Sequence, residues 1–441
     1  MAASVFDSPL YARLFPTGDA GRLFSDSAAL RAMLLVEGAL AKAQGAMGII
    51  PELSAAAIHR ATLEIQIDPG ALAQATGQNG VCVPGLVAAF RAEMNAPEHA
   101  QYLHWGATSQ DIIDTGLMLR LRQALALAEA DLRIIVAALA DQAETHDDLP
   151  MPARTYGQQA TPTSWGAVLA SWGMPLLDAL EALPDLRERS LWASLSGAAG
   201  TSAALGDEAA ALRKALAEGL GLHDPARSWH TDRGPMLRIA GWMAQVTATL
   251  GSMGQTLTAL AATEVQEVTT GPAGASSTMP QKQNPVGASA LVALSHQTAG
   301  LLAALQSAAS HQHQRDGASW FTEWMLMPQI ALSCASALQH AVSLAQSIQP
   351  NPAQMARAFE QGQDLLHAEA LSFALAAQMP RPDAQAATKA LCAEVAQTGV
   401  PLSDLARTHY PSLPASLFDP KAQLGQAPAE ARAFAARARA L

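Results

Sequence analysis

Cysteine is scarce in this chain. Cys82, Cys334 and Cys392 are the only three in 441 residues. They are odd in number and far apart, which excludes a disulfide framework and the usual zinc spacings. They read as small buried hydrophobes in a reducing compartment. Aromatic residues are also few, at 5%. Positive charge is short as well, with 27 Lys and Arg against 38 Asp and Glu, a net charge of −11. A chain so poor in cations is not expected to bind nucleic acid, which demands basic patches. A few local cations could still hold a small anion. No basic stretch followed by an apolar run opens the chain, so no secretory signal is expected. No apolar run reads as long enough to cross a bilayer. The expected protein therefore has no membrane partner and works in the cytoplasm.

Half of the chain is hydrophobic, and much of that half is Ala and Leu. Both favour helix, so the expected class is all-α. A helix is expected over Ala28–Met47, capped by Ser27, with Leu30, Met33, Leu34 and Leu40 as its apolar stripe. Shorter helices are expected over 54–64, 69–76 and 84–94. A long helix follows over about 110–146, with Ile113, Leu117, Leu121, Leu125, Leu132, Ile135 and Leu139 in one row. Such a row is a bundle seam. Further long helices are expected over 235–268, 287–310 and 320–348. Prolines break the chain again after Asn351-Pro352. The expected organisation is a helical domain at 1–105, a central long-helix bundle at 106–350 and a helical domain at 351–441.

Three polar segments interrupt this pattern. The first is His104-Trp-Gly-Ala-Thr-Ser-Gln-Asp-Ile-Ile-Asp-Thr115. Thr108 or Ser109 could simply cap the next helix. A helix start bearing hydroxyls also binds carboxylates well. His104 just before it could be structural or in contact with a ligand. The second segment is Arg154-Thr-Tyr-Gly-Gln-Gln-Ala-Thr-Pro-Thr163. The third is Gly271-Pro-Ala-Gly-Ala-Ser-Ser-Thr-Met-Pro-Gln-Lys-Gln-Asn-Pro285. Its Gly and Pro give irregular backbone, and Ser276, Ser277, Lys282 and Asn284 carry donors and acceptors. It reads as a linker or as a catalytic loop between rigid helices. It lacks the Gly-Lys-Ser/Thr ending of a phosphate loop. His311 and His313 are two apart and share no helix face, so no metal site is expected there.

Together the three segments resemble the three blocks of the fumarase/aspartase superfamily, which includes the argininosuccinate and adenylosuccinate lyases. The resemblance implies an all-α, three-domain subunit built on a central helix bundle. It also implies a homotetramer whose active sites are shared between three subunits, acting on a small polycarboxylate with no metal or organic cofactor. By the same resemblance Ser276 is the carbon-acid base, with Lys282 and Asn284 on the substrate's carboxylates beside Ser277 and Met279. His104 touches substrate, Thr108 and Ser109 bind carboxylate, and Thr155, Tyr156 and Gln158 occupy substrate positions.

Two departures stand out. Ala275 replaces the family's Gly before the serine pair, and Tyr156 stands where the lyases carry His. That His is associated with protonating the leaving group. A phenol titrating near 10 replaces it poorly, whereas a carboxylate leaving or attacking group needs no strong acid. The bacterial 3-carboxy-cis,cis-muconate cycloisomerases lack this His too. The first block resembles theirs, as does the segment holding Arg315, Trp320, Glu323 and Trp324, although Gln314 stands where Glu is expected. The expected activity is therefore lactone closure by carboxylate addition to an alkene, through an aci-carboxylate. A fumarate-releasing C–N lyase of the adenylosuccinate type and a non-catalytic structural homologue are the alternatives.

Overall fold

The structure is a computed structural model that describes residues 4–271, 274–275, 278–279 and 281–441. The chain is all-α in class. Its long helices are Ser109–Thr145, Gly234–Leu260, Val286–Ala308 and Gly317–Ser347. The row anticipated on the first is largely its buried face: Leu117, Leu121, Leu125, Leu132, Ile135 and Leu139 are buried, and Ile113 is half-buried.

Contacts divide the chain into two compact units. The first comprises Met1–Asp131, Ala179–Ala248 and Ala293–Gln339. Within it, helix Asp26–Ala46 packs on helix Glu52–Glu64. The crossing is close at Gly38, where a Cβ would lie 2.2 Å from Thr62 Oγ1. The cap of the first of these helices is Ser25, not Ser27: the Ser25 hydroxyl accepts from the Ala28 N–H at 3.2 Å. Leu40, Leu195, Leu205, Leu212 and Leu216 form one core cluster of this unit.

The second unit comprises Leu132–Asp178, Thr249–Val292 and His340–Leu441. Leu371, Leu375, Leu391, Val395, Leu402 and Leu405 make its apolar cluster. It also holds the strands. Pro150–Thr155 pairs antiparallel with Gln158–Ser164, Val268–Thr269 pairs with Gln349–Pro350, and Gly274–Ala275 pairs with Gln283–Asn284. Helix Gly234–Leu260 ends eight residues before the expected 268, because Gln266 takes a φ of 51° and Glu267 turns inward.

The expectation of no bilayer-length apolar run needs correcting at Val286–Ala308. By length and composition alone these 23 residues could cross a membrane, and only 33% of the most apolar window is buried within the chain. Its exposed positions are mostly small, namely Ala293, Ala299, Gly300, Ala303, Ala304 and Ser307. Small residues let a second helix approach closely, which is an alternative way to cover such a face.

Candidate active site

The first polar segment becomes a turn and a helix start in the first unit. His104 has a φ of 63°, a strained value for a residue with a side chain. Two side chains of helix Asp26–Ala46 hold this turn. Glu37 Oε1 lies 2.6 Å from His104 Nδ1, and Gln44 Nε2 donates to the Trp105 carbonyl at 2.7 Å. Those residues are seven apart, two helical turns on one face. Burial pushes the His104 imidazole down, but the hydrogen bond and charge of Glu37, with the charge of Asp111, outweigh it against Arg91. Its net shift is upward.

Gly106 follows with a φ of 74°, and a Cβ there would sit 2.2 Å from Leu205 Cδ2. Gly106→Ala is expected to destabilise the fold by about 1–3 kcal/mol, through the left-handed backbone and the displaced leucine. Urea denaturation monitored by circular dichroism checks this, and an unchanged midpoint would refute it.

Thr108 is the N-cap position of helix Ser109–Thr145. Its N–H donates to Asp111 Oδ2 at 3.1 Å, half of a capping box. Asp111 is buried, and it gathers four more partners. Ser194 Oγ, the Ser196 N–H and the Gly197 N–H donate to it at 2.8, 2.9 and 3.0 Å, and His230 Nε2 lies at 2.8 Å. Residues 194–197 are thus pinned under the helix start. By helix geometry the N–H groups of Ser109 and Gln110 lack intrahelical acceptors.

Arg315 completes this corner. Its Nε donates to Gln110 Oε1 at 2.9 Å, and its Nη2 to Thr108 Oγ1 at 3.3 Å and the Ala198 carbonyl at 3.2 Å. Nη1 is left without a partner among the described residues. Gln110 Nε2 donates in turn to Asp114 Oδ2 at 3.1 Å. Asp114 pairs with Arg233, whose guanidinium also takes Glu323 in a fork at 2.8 and 2.6 Å. The Trp320 indole N–H donates to Asp114 at 3.1 Å. The corner therefore presents a guanidinium, hydroxyls, helix N–H groups and a protonatable imidazole over a rigid, buried ionic base. Its chemistry is that of a carboxylate receptor.

The other two segments belong to the second unit. Thr155 pairs with Gln158 across a two-residue turn of Tyr156 and Gly157, with φ values of 52° and 75°. Those are the dihedrals of a hairpin turn whose twist suits the strands. Thr155 and Gln158 are exposed, and Tyr156 is fully exposed at 104%. Arg154, one residue before the last pair of this hairpin, forks onto buried Glu267 at 2.8 and 2.5 Å. Glu267 precedes strand Val268–Thr269, which ends two residues before the third segment begins at Gly271. In that segment the Lys282 N–H donates to the Met279 carbonyl at 3.0 Å, and Asn284 pairs with Gly274. Met279 and Lys282 are exposed and Asn284 is half-buried. Ser276 and Ser277 lie outside the described residues.

The structure thus brings Thr108 and Arg315 together directly, and it ties the hairpin to the start of the third segment through Arg154 and Glu267. Sequence reasoning missed Glu37, Arg233 and His230. Glu37 is a charge within an otherwise apolar helix stretch, whereas Arg233 and His230 lie in the irregular polar stretch before helix Gly234–Leu260, where nothing local marks them.

The lyase family model matches residues 18–300. The chain is 39% identical over 376 residues to a 3-carboxy-cis,cis-muconate cycloisomerase of Pseudomonas aeruginosa, covering 84% of this chain and 82% of that one. It is 34% identical over 432 residues to the enzyme of that name from Acinetobacter baylyi, covering 95% and 96%. Among solved structures, the 3-carboxy-cis,cis-muconate lactonizing enzyme from Pseudomonas putida superposes with a TM-score of 0.92 at 35% identity, over 98% of this chain and 99% of that one.

Proposed function

The chain belongs to the lyase family, within the fumarase/aspartase superfamily, and we propose on that premise that it converts 3-carboxy-cis,cis-muconate to 4-carboxymuconolactone in the breakdown of protocatechuate. One observation carries the choice of reaction. The tip of the 150–164 hairpin presents Tyr156, a group ill suited to protonate a leaving amine at neutral pH. Lactone closure has no such demand.

In this reading a substrate carboxylate oxygen bonds to the adjacent alkene carbon. The displaced electron pair moves into the conjugated carboxylate, giving a dianionic aci-carboxylate. Lys282, Asn284, Thr108 and Ser109 stabilise that charge, the kind of contribution that is usually largest. The Ser276 hydroxyl then gives its proton to carbon, and the resulting alkoxide is reprotonated from solvent. Arg315 and His104 hold remote carboxylates. Thr155, Tyr156, Gln158, Ser277 and Met279 line the rest of the site. No metal or organic cofactor takes part.

The same reading makes the working form a homotetramer in the cytoplasm, with each active site shared between three subunits. The small-residue face of helix Val286–Ala308 and the exposure of Tyr156 support assembly, since a second copy would cover both. Light scattering is expected to give four times the 45.9 kDa chain mass.

The deciding experiment mixes purified protein with 3-carboxy-cis,cis-muconate and follows the ultraviolet absorbance of the conjugated diene. Rapid loss is expected. No loss, with fumarate appearing from adenylosuccinate or argininosuccinate instead, would replace this reading with that of a C–N lyase.

A further inference from the structure

We propose that Glu37 is a positioning residue that holds His104 as an imidazolium, so that its second N–H meets a substrate carboxylate. The proposal rests on the functional reading above for the identity of the substrate, but not for the behaviour of the pair.

The geometry begins with burial. Glu37 is 2% exposed, and among the described residues its only side-chain partner is His104 Nδ1 at 2.6 Å. Its other oxygen, Oε2, is buried with no partner. An ionised carboxylate in such a place is costly unless a cation answers it. Among the described residues nothing else bonded to Glu37 supplies one. The distance is that of a charge-assisted bond. The backbone is fixed on both sides. Gly38 leaves no room for a Cβ against Thr62, and Gln44 binds the Trp105 carbonyl. Arg91 secures the chain before His104 by donating to the Ala100 and Leu103 carbonyls at 3.1 and 3.0 Å. The left-handed φ of His104 therefore persists because its surroundings over-determine it.

Three charged groups face the imidazole. Glu37 and Asp111 favour its protonated form and Arg91 opposes it. The two carboxylates prevail over Arg91 and burial together. With Nδ1–H committed to Glu37, the state of Nε2 decides what substrate meets. Protonated, Nε2 offers a charged donor to a carboxylate. Unprotonated, it presents a lone pair to the same carboxylate and repels it. Nε2 has no partner among the described residues, so it is available for this task.

Glu37→Gln separates the two states. The amide oxygen can still accept from Nδ1–H, but the compensating charge is gone. His104 should then lose its proton at lower pH. Two readouts follow. The first is the imidazole titration by NMR, with the His104 signal identified by its loss in His104→Gln. The midpoint is expected above the ordinary histidine value in the parent and about one unit lower in Glu37→Gln. The second is kinetics on 3-carboxy-cis,cis-muconate. KM is expected to rise about tenfold with a smaller change in kcat, and the alkaline limb of kcat/KM to move down in pH. Adding Glu37→Gln to His104→Gln should do no further harm.

Glu37→Asp keeps the charge at a shorter reach and should restore part of both effects. It also serves if Glu37→Gln does not fold. A parent midpoint at or below the ordinary value would overturn the proposal. So would a Glu37→Gln variant with an unmoved midpoint and KM, or a Glu37→Asp variant that falls as far as Glu37→Gln in both. A normal NMR response in a protein inert towards the substrate would reject the functional reading and leave the pair standing.

Discussion

Ser276→Ala is expected to slow turnover of 3-carboxy-cis,cis-muconate by about a hundredfold or more, as positioned acid or base groups typically contribute. Turnover should fall far more than affinity. The groups proposed to hold the carboxylates are His104, Thr108, Ser109, Arg315, Lys282 and Asn284, and all remain. KM is therefore expected to move by only about twofold to threefold. Thermal stability should be nearly unchanged, because the substitution removes a single hydroxyl and no apolar group. Ser277→Ala serves as the neighbour control and should lose much less. Stopped-flow decay of the diene absorbance measures each value. Near-parental turnover in Ser276→Ala would remove that residue from the role of proton donor, even if the lactone is made. Equal losses at Ser276 and Ser277 would point to a disturbed segment instead.

The fold was legible where local physics decides it. Ala and Leu in a continuous row announced helix Ser109–Thr145, and the row is largely its buried face. The 150–164 hairpin was not legible. Pro150 and Pro152 argue against strands, and its turn is Tyr-Gly rather than Asn-Gly. The overrun beyond Leu260 has a different cause. Ala261, Ala262 and Glu264 suit a helix, but Glu267 forks onto Arg154, 113 residues away in sequence. A tertiary ion pair there overrode local preference. The site divides in the same way. His104, Thr108 and Ser109 could be read because their chemistry sits in one short motif. Glu37 could not, because it meets His104 across 67 residues. Arg233 meets Asp114 across 119 and Glu323 across 90. Nothing local marks such partners, and only the folded chain brings them to the site.

Arg233→Met is expected to cost about 3–5 kcal/mol or more of stability, the usual penalty for removing one member of a buried ion pair. The expectation is at the high end because one cation here answers two anions. Arg233 is buried with Asp114 and Glu323, which are themselves at most 2% exposed. Burial alone would push the guanidinium down, yet the two carboxylates hold it above its ordinary value. Glu323 shows the reciprocal effect. Burial raises it, but His311 and Arg233 together pull it below the usual range. Its contribution to stability is thus present above the ordinary carboxylate range and fades as pH falls through the depressed value. Methionine fills much of the volume but leaves Asp114 without a cation and Glu323 with His311 alone, so the carboxylates must take up protons or draw in water. Arg233→Lys should recover only part, since a point charge cannot fork onto two carboxylates. The loss should also reach the site. Asp114 accepts from Gln110, and Gln110 Oε1 accepts from Arg315 Nε at 2.9 Å. A weakened Asp114 therefore loosens Arg315, and any folded Arg233→Met protein should show a raised KM before a lowered kcat. Urea denaturation followed by circular dichroism, with kinetics on the soluble fraction, tests both parts. An unshifted midpoint would show that this buried network contributes little, and that its carboxylates find other partners once Arg233 is gone.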